Sequence, residues 1–329
     1  MGRSKKFLLV VLSVLLLLVA AGCGLGKDPA PSQGQAVTVT GMPEQKVLPE
    51  LVAAYNQAGR KYRLQYQPDA SQPVDCYLET QAAVQQLARQ QKLAPLTVKD
   101  NPVPAAFRDG QHFWCGVFYD PVVFLVNHQF AREQGQEQLR DWYSLPHLKQ
   151  ARLALENLTD NASTKDFLAA LASHMGQAEC LQYFKTLQPL VGTYGKFPIT
   201  SIRMVAGGDA DLALTRSSFV APYLESDFPA YVQVPEGGTP VTLYAFALAK
   251  ASRHQEACAD FLTWLLTDPT AQKLLQPAGY YPLPADADKD ACAALWLNTF
   301  YKEPQAVDKL ADAWVKTIRL GAKTTEVKK

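Results

Sequence analysis

The sequence predicts an α/β fold that is divided into two domains. Short runs in which apolar and polar residues alternate are separated by longer stretches with apolar residues at helical spacing. Strands that are connected through helices in this way form a largely parallel sheet with both of its faces covered. About 305 residues follow Cys23, which is too long a chain for one ordinary hydrophobic core and suits two domains.

The first 22 residues have the three parts of a secretory signal peptide. Arg3, Lys5 and Lys6 precede an uncharged, mostly apolar run of 16 residues, 7–22, which ends in small residues. A membrane-spanning helix needs roughly 20 apolar residues, so the pattern favours a cleaved leader over a transmembrane anchor. The small residues before Cys23 resemble a bacterial lipobox, which predicts an exported protein whose N-terminal Cys23 carries lipid and holds it at the membrane. A cleaved leader followed by a cysteine without lipid is the alternative.

The composition after the leader indicates a globular body with a nearly neutral surface. Hydrophobic residues make up 48% of the chain and charged residues 19%, and no second apolar run approaches spanning length. The formal net charge of +1 becomes −2 when the three basic residues of the leader are removed. A nucleic-acid partner is therefore not expected, because it requires a clustered basic face.

The cysteines that follow Cys23 show neither CxxC nor zinc-ligand spacing. Export permits disulfides, but an odd number of cysteines leaves at least one free thiol. Single buried cysteines behave as small apolar residues, and this is the expectation for each of them. Cys258 and Cys292 both fall on predicted helices and are the candidate pair if one bridge exists. The cysteines concerned are Cys76, Cys115, Cys180, Cys258 and Cys292.

After the leader, the chain begins with a flexible linker and then alternates strands with helices. Residues 24–35 are rich in Gly, Pro, Ser and Gln, as is typical of a linker. The glycine at position 59 ends the first predicted helix. Apolar periodicity predicts strands at 37–40, 62–66 and 74–78, and helices at 47–57 and 79–91.

A β-rich stretch over 111–127 follows a predicted loop at 95–109. Asp120-Pro121 is expected to interrupt this stretch, because proline is disfavoured inside a sheet and marks a passage between sheets or domains. A second α/β region comes next, with helix-capping residues at 161–164. Its predicted elements are strands at 151–155, 211–214, 231–234 and 243–249, and helices from 161, at 180–187, 255–266 and 270–275, followed by two closing helices, the second from Pro304.

No catalytic signature is present in the sequence. The G-x-S-x-G, H-E-x-x-H, P-loop and G-x-G-x-x-G patterns are absent, and the five histidines lack metal-ligand spacing. We therefore expect neither an enzymatic activity, nor a cofactor, nor a metal site.

Two polar stretches are instead suited to binding an anion. Ser163 and Thr164 stand at a predicted helix start, where free N–H groups and hydroxyls attract negative charge; ordinary helix capping is the alternative. Arg216, Ser217 and Ser218 directly follow a buried strand, and ligands of open α/β sheets lie beyond the carboxyl ends of strands. A guanidinium at this place holds a carboxylate, phosphate or phosphonate, unless it forms a surface salt bridge.

Short motifs occur in a characteristic order along nearly the whole chain after the leader. They are Val37-Thr38-Val39 with Val47-Leu48-Pro49-Glu50-Leu51, Val74-Asp75-Cys76-Tyr77 with Leu93-Ala94-Pro95-Leu96, Gly116 to Asn127, Gly208-Asp209-Ala210-Asp211-Leu212-Ala213, Val234 to Thr239, and Ala257 to Phe261 followed by Leu265, Asp268-Pro269 and Gln272. Together they resemble the motifs of bacterial extracellular solute-binding proteins of ABC importers, in the branch that includes the ferric-iron binders.

The resemblance implies the two-lobed class II periplasmic-binding-protein fold. Each lobe is expected to contain a mixed, mostly parallel sheet flanked by helices, and crossover strands are expected to join the lobes around a ligand. The implied partners are a small-molecule ligand and an ABC permease, with the protein itself a monomer. The expected division is a signal peptide at 1–22, a linker at 23–35, lobe 1 at 36–119 and 243–283, lobe 2 at 120–242, C-terminal helices packed on the lobes at 284–320, and a tail at 321–329.

The side chains that bind ferric iron in that branch are not reproduced in this sequence. Its members supply a His, a Glu and a Tyr pair, and the matching positions read Pro43, Thr80 and Ser218-Phe219, with Glu79 one residue away. Ferric iron prefers anionic oxygen ligands, so we expect a different ligand, namely a small organic anion such as a phosphonate or a phosphorylated compound. A polyamine is disfavoured, because no carboxylates can be assigned to the cleft from the sequence.

The predicted function is therefore the capture of a solute outside the cytoplasm for an ABC permease. A lipid-anchored enzyme on the same scaffold and a receptor partner that senses the ligand are the alternatives. Four aromatic residues are expected either in the cleft or in the core: Tyr77, Trp114, Phe118 and Tyr119. The predicted ligand-binding residues are Gly41, Met42, Tyr77, Thr80, Tyr119, Ser163, Thr164, Arg216, Ser217 and Ser218.

Overall fold

The computed structural model describes residues 36–42, 46–69, 71–98, 101–134, 139–224, 227–285, 287–300 and 303–320. The predicted signal peptide, the predicted lipidation site at Cys23, the linker and the tail lie outside these residues. None of the helices within the described ranges is both long enough and apolar enough to cross a membrane.

The strands of the described residues are short, apart from two long ones that run between the lobes. Their side chains alternate between the two faces of each sheet, as the period of two in the sequence requires. In chain order they are β1 (Val37–Thr40), β2 (Leu64–Tyr66), β3 (Cys76–Thr80), β4 (Leu93–Ala94), β5 (Trp114–Asn127), β6 (Leu153–Glu156), β7 (Val191–Gly195), β8 (Leu212–Arg216), β9 (Ala230–Gln233), β10 (Thr239–Ala249), β11 (Tyr281–Pro282) and β12 (Leu295–Trp296).

The helices cover the faces of the sheets and bury one side of their surface. In chain order they are α1 (Val47–Gln57), α2 (Gln81–Arg89), α3 (His128–Gln134), α4 (Ala162–Met175), α5 (Gln177–Leu187), α6 (Pro198–Gly207), α7 (Ser217–Val220), α8 (Gln255–Thr267), α9 (Pro269–Leu275), α10 (Lys289–Ala293) and α11 (Pro304–Trp314). A π-helical segment, Val315–Leu320, continues directly from α11.

Lobe 1 combines three parallel strands with several antiparallel ones. β1 pairs in parallel with β2 and β3, whereas β10 pairs antiparallel with β3 and with the first half of β5. α1 packs on this sheet because its apolar residues recur at helical spacing, and Leu48, Leu51 and Tyr55 are fully buried. This arrangement confirms the predicted mixed sheet flanked by helices.

Lobe 2 repeats the arrangement around β6 and has a hydrophobic core of its own. β6 pairs in parallel with β7 and β8, and both β8 and β9 pair antiparallel with the second half of β5. Trp142 is fully buried in this core and packs against Phe124 and Phe167. Trp314 of α11 and Ile318 of the π-helical segment join the same core, so the C-terminal segment packs on lobe 2.

The two lobes are joined by the long strand β5, which belongs to both sheets. Residues of β5 up to Pro121 pair with β10, and residues from Val122 onward pair with β8. The prediction that Asp120-Pro121 interrupts the strand is wrong, because β5 is continuous through both residues. Pro121 is the last residue of one ladder, so its missing N–H falls where the strand changes partner. The expectation of a passage between sheets at this point is confirmed.

Between 188 and 210, the structure contains two elements that the sequence did not predict. β7 contains two glycines and is only partly buried, so its alternation is weak. α6 begins with Pro198. Proline suits the first position of a helix, but in a sequence it also indicates the end of one, so this helix was not predicted. Elsewhere, β3 and β8 end two residues later than predicted, which carries Thr80 and Arg216 to the carboxyl ends of strands.

The candidate bridge between Cys258 and Cys292 is not formed. Cys258 is fully buried on α8 in the lobe 1 core, where its thiol lies against the thiol of Cys76. The thiol of Cys292 instead donates to the carbonyl oxygen of Ala285 (3.7 Å). Cys258 and Cys292 therefore face different neighbours, although both lie on helices as expected.

Candidate functional site: the cleft between the lobes

The cleft lies where the N-terminal ends of α2 in lobe 1 and α4 in lobe 2 approach each other. It consists of two adjoining cavities, an inner chamber of about 270 Å³ and an outer chamber of about 430 Å³. Gln86, Lys165 and Asp308 are among the residues that line the outer chamber. The inner chamber is lined by Met42, Glu79, Thr80, Ala82, Ala83, Asn161, Ala162, Ser163, Asp166, Arg216, Phe219, Thr242 and Tyr244.

The start of α4 presents backbone N–H groups to the inner chamber. Asn161 and Thr164 form a capping box, in which Asn161 Oδ1 accepts from the N–H of Thr164 (2.9 Å) and Thr164 Oγ1 accepts from the N–H of Asn161 (3.3 Å). Helix geometry leaves the N–H groups of Ala162 and Ser163 without intrahelical acceptors, and both residues line the chamber. This wall therefore suits a negatively charged group.

Arg216 is the last residue of β8, and its guanidinium lies beside the N-terminus of α4. Its Nη2 donates to the carbonyl oxygen of Ser163 (2.6 Å) and lies 3.8 Å from Oδ2 of Asp166. The residue is 6% exposed, so it does not form the surface salt bridge that was the alternative to a ligand clamp. The carbonyl contact uses one of its five N–H donors and holds the guanidinium beside the N-terminus of α4.

Two further carboxyl groups lie in the interior near Arg216. Burial raises the pKa of Asp120 to about 6, although Arg216 and the hydrogen bonds from Ser218 act in the opposite direction. Burial also raises the pKa of Glu156 to about 7, again opposed by Arg216. The guanidinium of Arg216 is thus the positive charge that acts on both of these buried carboxyl groups.

The inner chamber also contains two carboxylates of its own, one from each lobe. Glu79 accepts hydrogen bonds from the backbone N–H groups of Met42 (3.1 Å) and Thr80 (3.2 Å), and burial raises its pKa. Asp166 accepts from Thr242 Oγ1 (2.7 Å) and Asn298 Nδ2 (3.0 Å), which ties α4 to β10 and to the C-terminal segment.

Four of the predicted ligand-binding residues come together around the inner chamber: Met42, Thr80, Ser163 and Arg216. Thr80 is also the N-cap of α2, where its hydroxyl accepts from the N–H of Ala83 (3.3 Å). Sequence reasoning indicated Ser163 through the predicted helix start and Arg216 through the strand before it, whereas Thr80 was the position that matches an iron ligand of the resembling branch.

The other predicted residues are not among those that line the inner chamber. Ser218 donates from its backbone N and its Oγ to the carboxyl group of Asp120 (3.1 and 2.6 Å), so it supports the crossover strand. Thr164 serves the capping box, and Ser217 Oγ lies 3.4 Å from the hydroxyl of Tyr281. Tyr119 stacks on Tyr281 (5.7 Å between centroids), whereas Tyr77 and Gly41 belong to the neighbouring β3–β1 region: Tyr77 is a half-buried residue of β3, and Gly41 directly follows β1.

Sequence reasoning missed Asp166, Thr242 and Tyr244 as cleft residues. Asp166 lies one turn after Ala162 on α4, so helical spacing from the predicted helix start would have indicated it. Thr242 and Tyr244 are two residues apart on β10 and therefore share a face. Among the described residues, no group of three or more His, Cys, Asp or Glu side chains is arranged to hold a metal ion, and Pro43 lies outside that part.

Replacing Gly41 with alanine is expected to destabilise lobe 1. Gly41 has a φ of +136°, which L residues rarely adopt, and an added Cβ would overlap the backbone carbonyl of Leu78. We expect the free energy of unfolding in urea to fall by about 3 kcal/mol. Gly110→Ala is the matched control, because nothing lies within 4 Å of its added Cβ. Equal stability of the two variants would contradict the close approach of the Gly41 loop to β3.

Two lobes that enclose a polar cleft at their crossover strands form the architecture of a solute-binding protein. Residues 49–299 match the sequence profile described as bacterial extracellular solute-binding protein. This match covers most of the chain, and the chain therefore belongs to that family. The predicted family is confirmed.

A curated relative is iron uptake protein A1 of Synechocystis sp. It is 22% identical to this chain over 231 residues, which correspond to 66% of this chain and 62% of that protein. The chain thus matches less than two thirds of the length of this relative.

Solved structures of low sequence identity share the fold. Trichodesmium IdiA (FutA), in complex with iron and citrate ligands, matches with a TM-score of 0.67 and 18% identity over 85% of this chain and 99% of that chain. Ferric iron-binding protein A of Mannheimia haemolytica, in an open conformation, matches with a TM-score of 0.69 and 14% identity over 86% of this chain and 99% of that chain. AfuA of Actinobacillus pleuropneumoniae, with fructose-6-phosphate bound, matches with a TM-score of 0.64 and 17% identity over 88% of this chain and 100% of that chain. The two-lobed fold is confirmed, and these identities support the fold alone.

Proposed function

We propose that the protein is the solute-binding component of an ABC importer and captures a small organic anion in the inner chamber. The observation that carries this proposal is the position of Arg216, whose buried guanidinium lies beside the N-terminus of α4 and lines the chamber. A guanidinium and free helix N–H groups together bind carboxylate or phosphate oxygens through charge-assisted hydrogen bonds.

The size of the chamber supports an organic ligand, not bare ferric iron. A volume of about 270 Å³ lies just below the range of roughly 300–1,000 Å³ for small-molecule sites, and the adjoining outer chamber adds about 430 Å³. One water molecule, by comparison, occupies about 30 Å³ in the liquid. Among proteins with this fold, AfuA has been seen with fructose-6-phosphate, and the proposed ligand class is accordingly a phosphonate or a phosphorylated compound.

The proposal includes export and attachment to the membrane through lipid on Cys23. The basic, apolar and small residues before Cys23 support a cleaved lipoprotein signal, and the body would remain as a monomer near its permease. Such attachment raises the effective concentration of the binding protein at the permease. No observation favours the enzyme or the sensor over this role.

Protein purified under native conditions is expected to carry its ligand. Mass spectrometry of small molecules released on unfolding should detect an organic compound with an acidic oxyanion group. Protein that has been unfolded, washed and refolded is the control and should release none. Ferric iron as the bound species would contradict the ligand class, and turnover of the released compound by the protein would favour an enzyme. Loss of uptake in a deletion strain separates transport from sensing.

A further inference from the structure

The lobe 1 wall of the inner chamber carries a negative charge that the described part of the protein does not offset. Glu79 lines this wall, and one N–H group bonds to each of its two carboxylate oxygens. Each oxygen keeps a further lone pair, because a carboxylate oxygen accepts about two hydrogen bonds. Within the described residues, no Lys, Arg or His forms an ion pair with Glu79.

The helix behind Glu79 does not supply free positive charge to the chamber. Glu79 accepts from the N–H of Thr80, the N-cap of α2, so the positive end of that helix dipole already has an anion beside it. Tyr244 pairs with Thr80 across β3 and β10 and completes this wall with a neutral phenol. The lobe 1 wall is therefore acidic.

The lobe 2 wall has the opposite character. The N-terminus of α4 is capped by the neutral side chains of Asn161 and Thr164, and no acidic residue lies in its first turn. Arg216 adds a guanidinium that is 6% exposed and lines the chamber. Asp166 at 3.8 Å and the two interior carboxyl groups near Arg216 offset part of this charge, but N–H donors of Arg216 and of the start of α4 remain for an anion.

We propose that the ligand is a small zwitterion, with its acidic oxyanion group on the lobe 2 wall and a protonated amine on Glu79. This inference rests on the proposed function, since it assigns the substrate class of the same cleft. A purely anionic ligand would leave Glu79 buried without a counter-charge when the lobes close, and like charges across a site cost affinity. An ammonium group removes that cost and forms a charge-assisted hydrogen bond.

The two carboxylates that line the inner chamber leave room for one amine there. The Asp166 carboxylate is already engaged by Thr242, Asn298 and Arg216, so it is not available to a second ammonium group. The structure thus supplies a cleft carboxylate that the sequence did not reveal, and among the residues that line the inner chamber Glu79 is the one carboxylate available to an ammonium group.

Three matched probes separate the charge requirements of the two walls. O-phosphoethanolamine carries both groups, ethyl phosphate lacks the amine, and ethylamine lacks the phosphate. We expect isothermal titration calorimetry of the ligand-free protein to show that O-phosphoethanolamine binds at least roughly tenfold more tightly than ethyl phosphate or ethylamine. In parallel, the ligand released from natively purified protein should react with an amine-labelling reagent and should contain an acidic oxyanion group.

Glu79→Gln tests the lobe 1 contact directly. Glutamine keeps the size of the side chain and one acceptor oxygen, so the variant removes the charge with little change in shape. We expect the zwitterion to bind roughly 30-fold more weakly, while ethyl phosphate binds as before or more tightly. The ratio of the two affinities within one variant is independent of any loss of folded protein. Glu50→Gln, on the exposed side of α1, is the matched control and should leave the ratio unchanged.

Each outcome decides either the inference or the function on which it rests. A released ligand that contains both an amine and an acidic group supports the inference. A released ligand without an amine overturns it and leaves the solute-binding function intact, as does equal binding of ethyl phosphate and O-phosphoethanolamine or an unchanged ratio in Glu79→Gln. Absence of any released compound together with absence of binding to all three probes overturns the proposed function itself.

Discussion

Replacing Arg216 with methionine is expected to lower both the stability of the protein and its affinity for the ligand. Methionine has a similar length but leaves Asp120, Glu156 and Asp166 without their nearest positive charge. Removing one partner of a buried charge cluster costs about 3–5 kcal/mol, to be measured as the free energy of unfolding in urea. Loss of the anion contact should weaken binding of the natively released ligand on the order of 100-fold in calorimetry.

Two further variants separate the charge of Arg216 from its shape. Arg216→Lys keeps the positive charge but loses the planar array of donors, so it should recover most of the stability and little of the affinity. Arg203→Met removes an arginine from the exposed face of α6 and should change neither quantity. An affinity that is unchanged in Arg216→Met would contradict the anion contact, whatever happens to stability.

The free energy of unfolding is expected to fall as the pH rises from about 5 to about 8. Asp120 and Glu156 are 1% and 7% exposed, and burial raises the pKa of Asp120 to about 6 and that of Glu156 to about 7. In this window the folded state keeps protons that the unfolded state has already released. The stability that these protons provide is complete below the ordinary carboxyl pKa and disappears as the pH passes the raised values. Each shift corresponds to roughly 3 kcal/mol when taken alone.

Asp120→Asn and Glu156→Gln are expected to flatten this dependence, because an amide does not titrate. Urea unfolding at four pH values between about 5 and about 8 measures the slope for each variant and for the parent protein. His174 acts in the opposite direction, since burial lowers its pKa, so the difference between variant and parent is the informative quantity. Asp268→Asn is the control: its pKa is lowered by hydrogen bonds from Thr270, and it should leave the slope in this window unchanged. A parent protein whose stability is flat or rises over the window would show that these carboxyl groups are not protonated in the fold.

The proposed anion contact of Arg216 couples ligand binding to stability through the same group of charges. Arg216 donates a hydrogen bond to the carbonyl oxygen of Ser163 at the N-terminus of α4. Its positive charge also stabilises the ionised forms of the interior carboxyl groups near the crossover strand β5. An anion that binds Arg216 offsets the positive charge that otherwise stabilises the ionised forms of those carboxyl groups. Ligand binding should therefore favour protonation of Asp120 or Glu156, because a new negative charge nearby raises the pKa of a carboxyl group.

Many of the elements were predictable because their information is local. The apolar spacing of α1, with Leu48, Leu51 and Tyr55 on one face, and the alternation of β1 depend only on neighbouring residues. The start of α4 was predicted from its capping residues for the same reason. β7 escaped prediction because its two glycines weaken the alternation, so its pairing with β6 depends on the partner strand and not on its own sequence.

The sequence by itself determined the alternation of strands and helices, the resemblance to solute-binding proteins, and the placement of Ser163 and Arg216 at a helix start and a strand end. Tertiary structure alone decided which charges face the ligand. Glu79 and Arg216 lie 137 positions apart by their numbers and come from different lobes, and both line one chamber. Whether a carboxylate is compensated or available depends on distances of a few ångströms across that chamber, because Coulomb energy in a water-poor site varies steeply with distance and burial. Local patterns in the chain do not encode those distances, whereas the packing of α2, α4, β8 and β10 does.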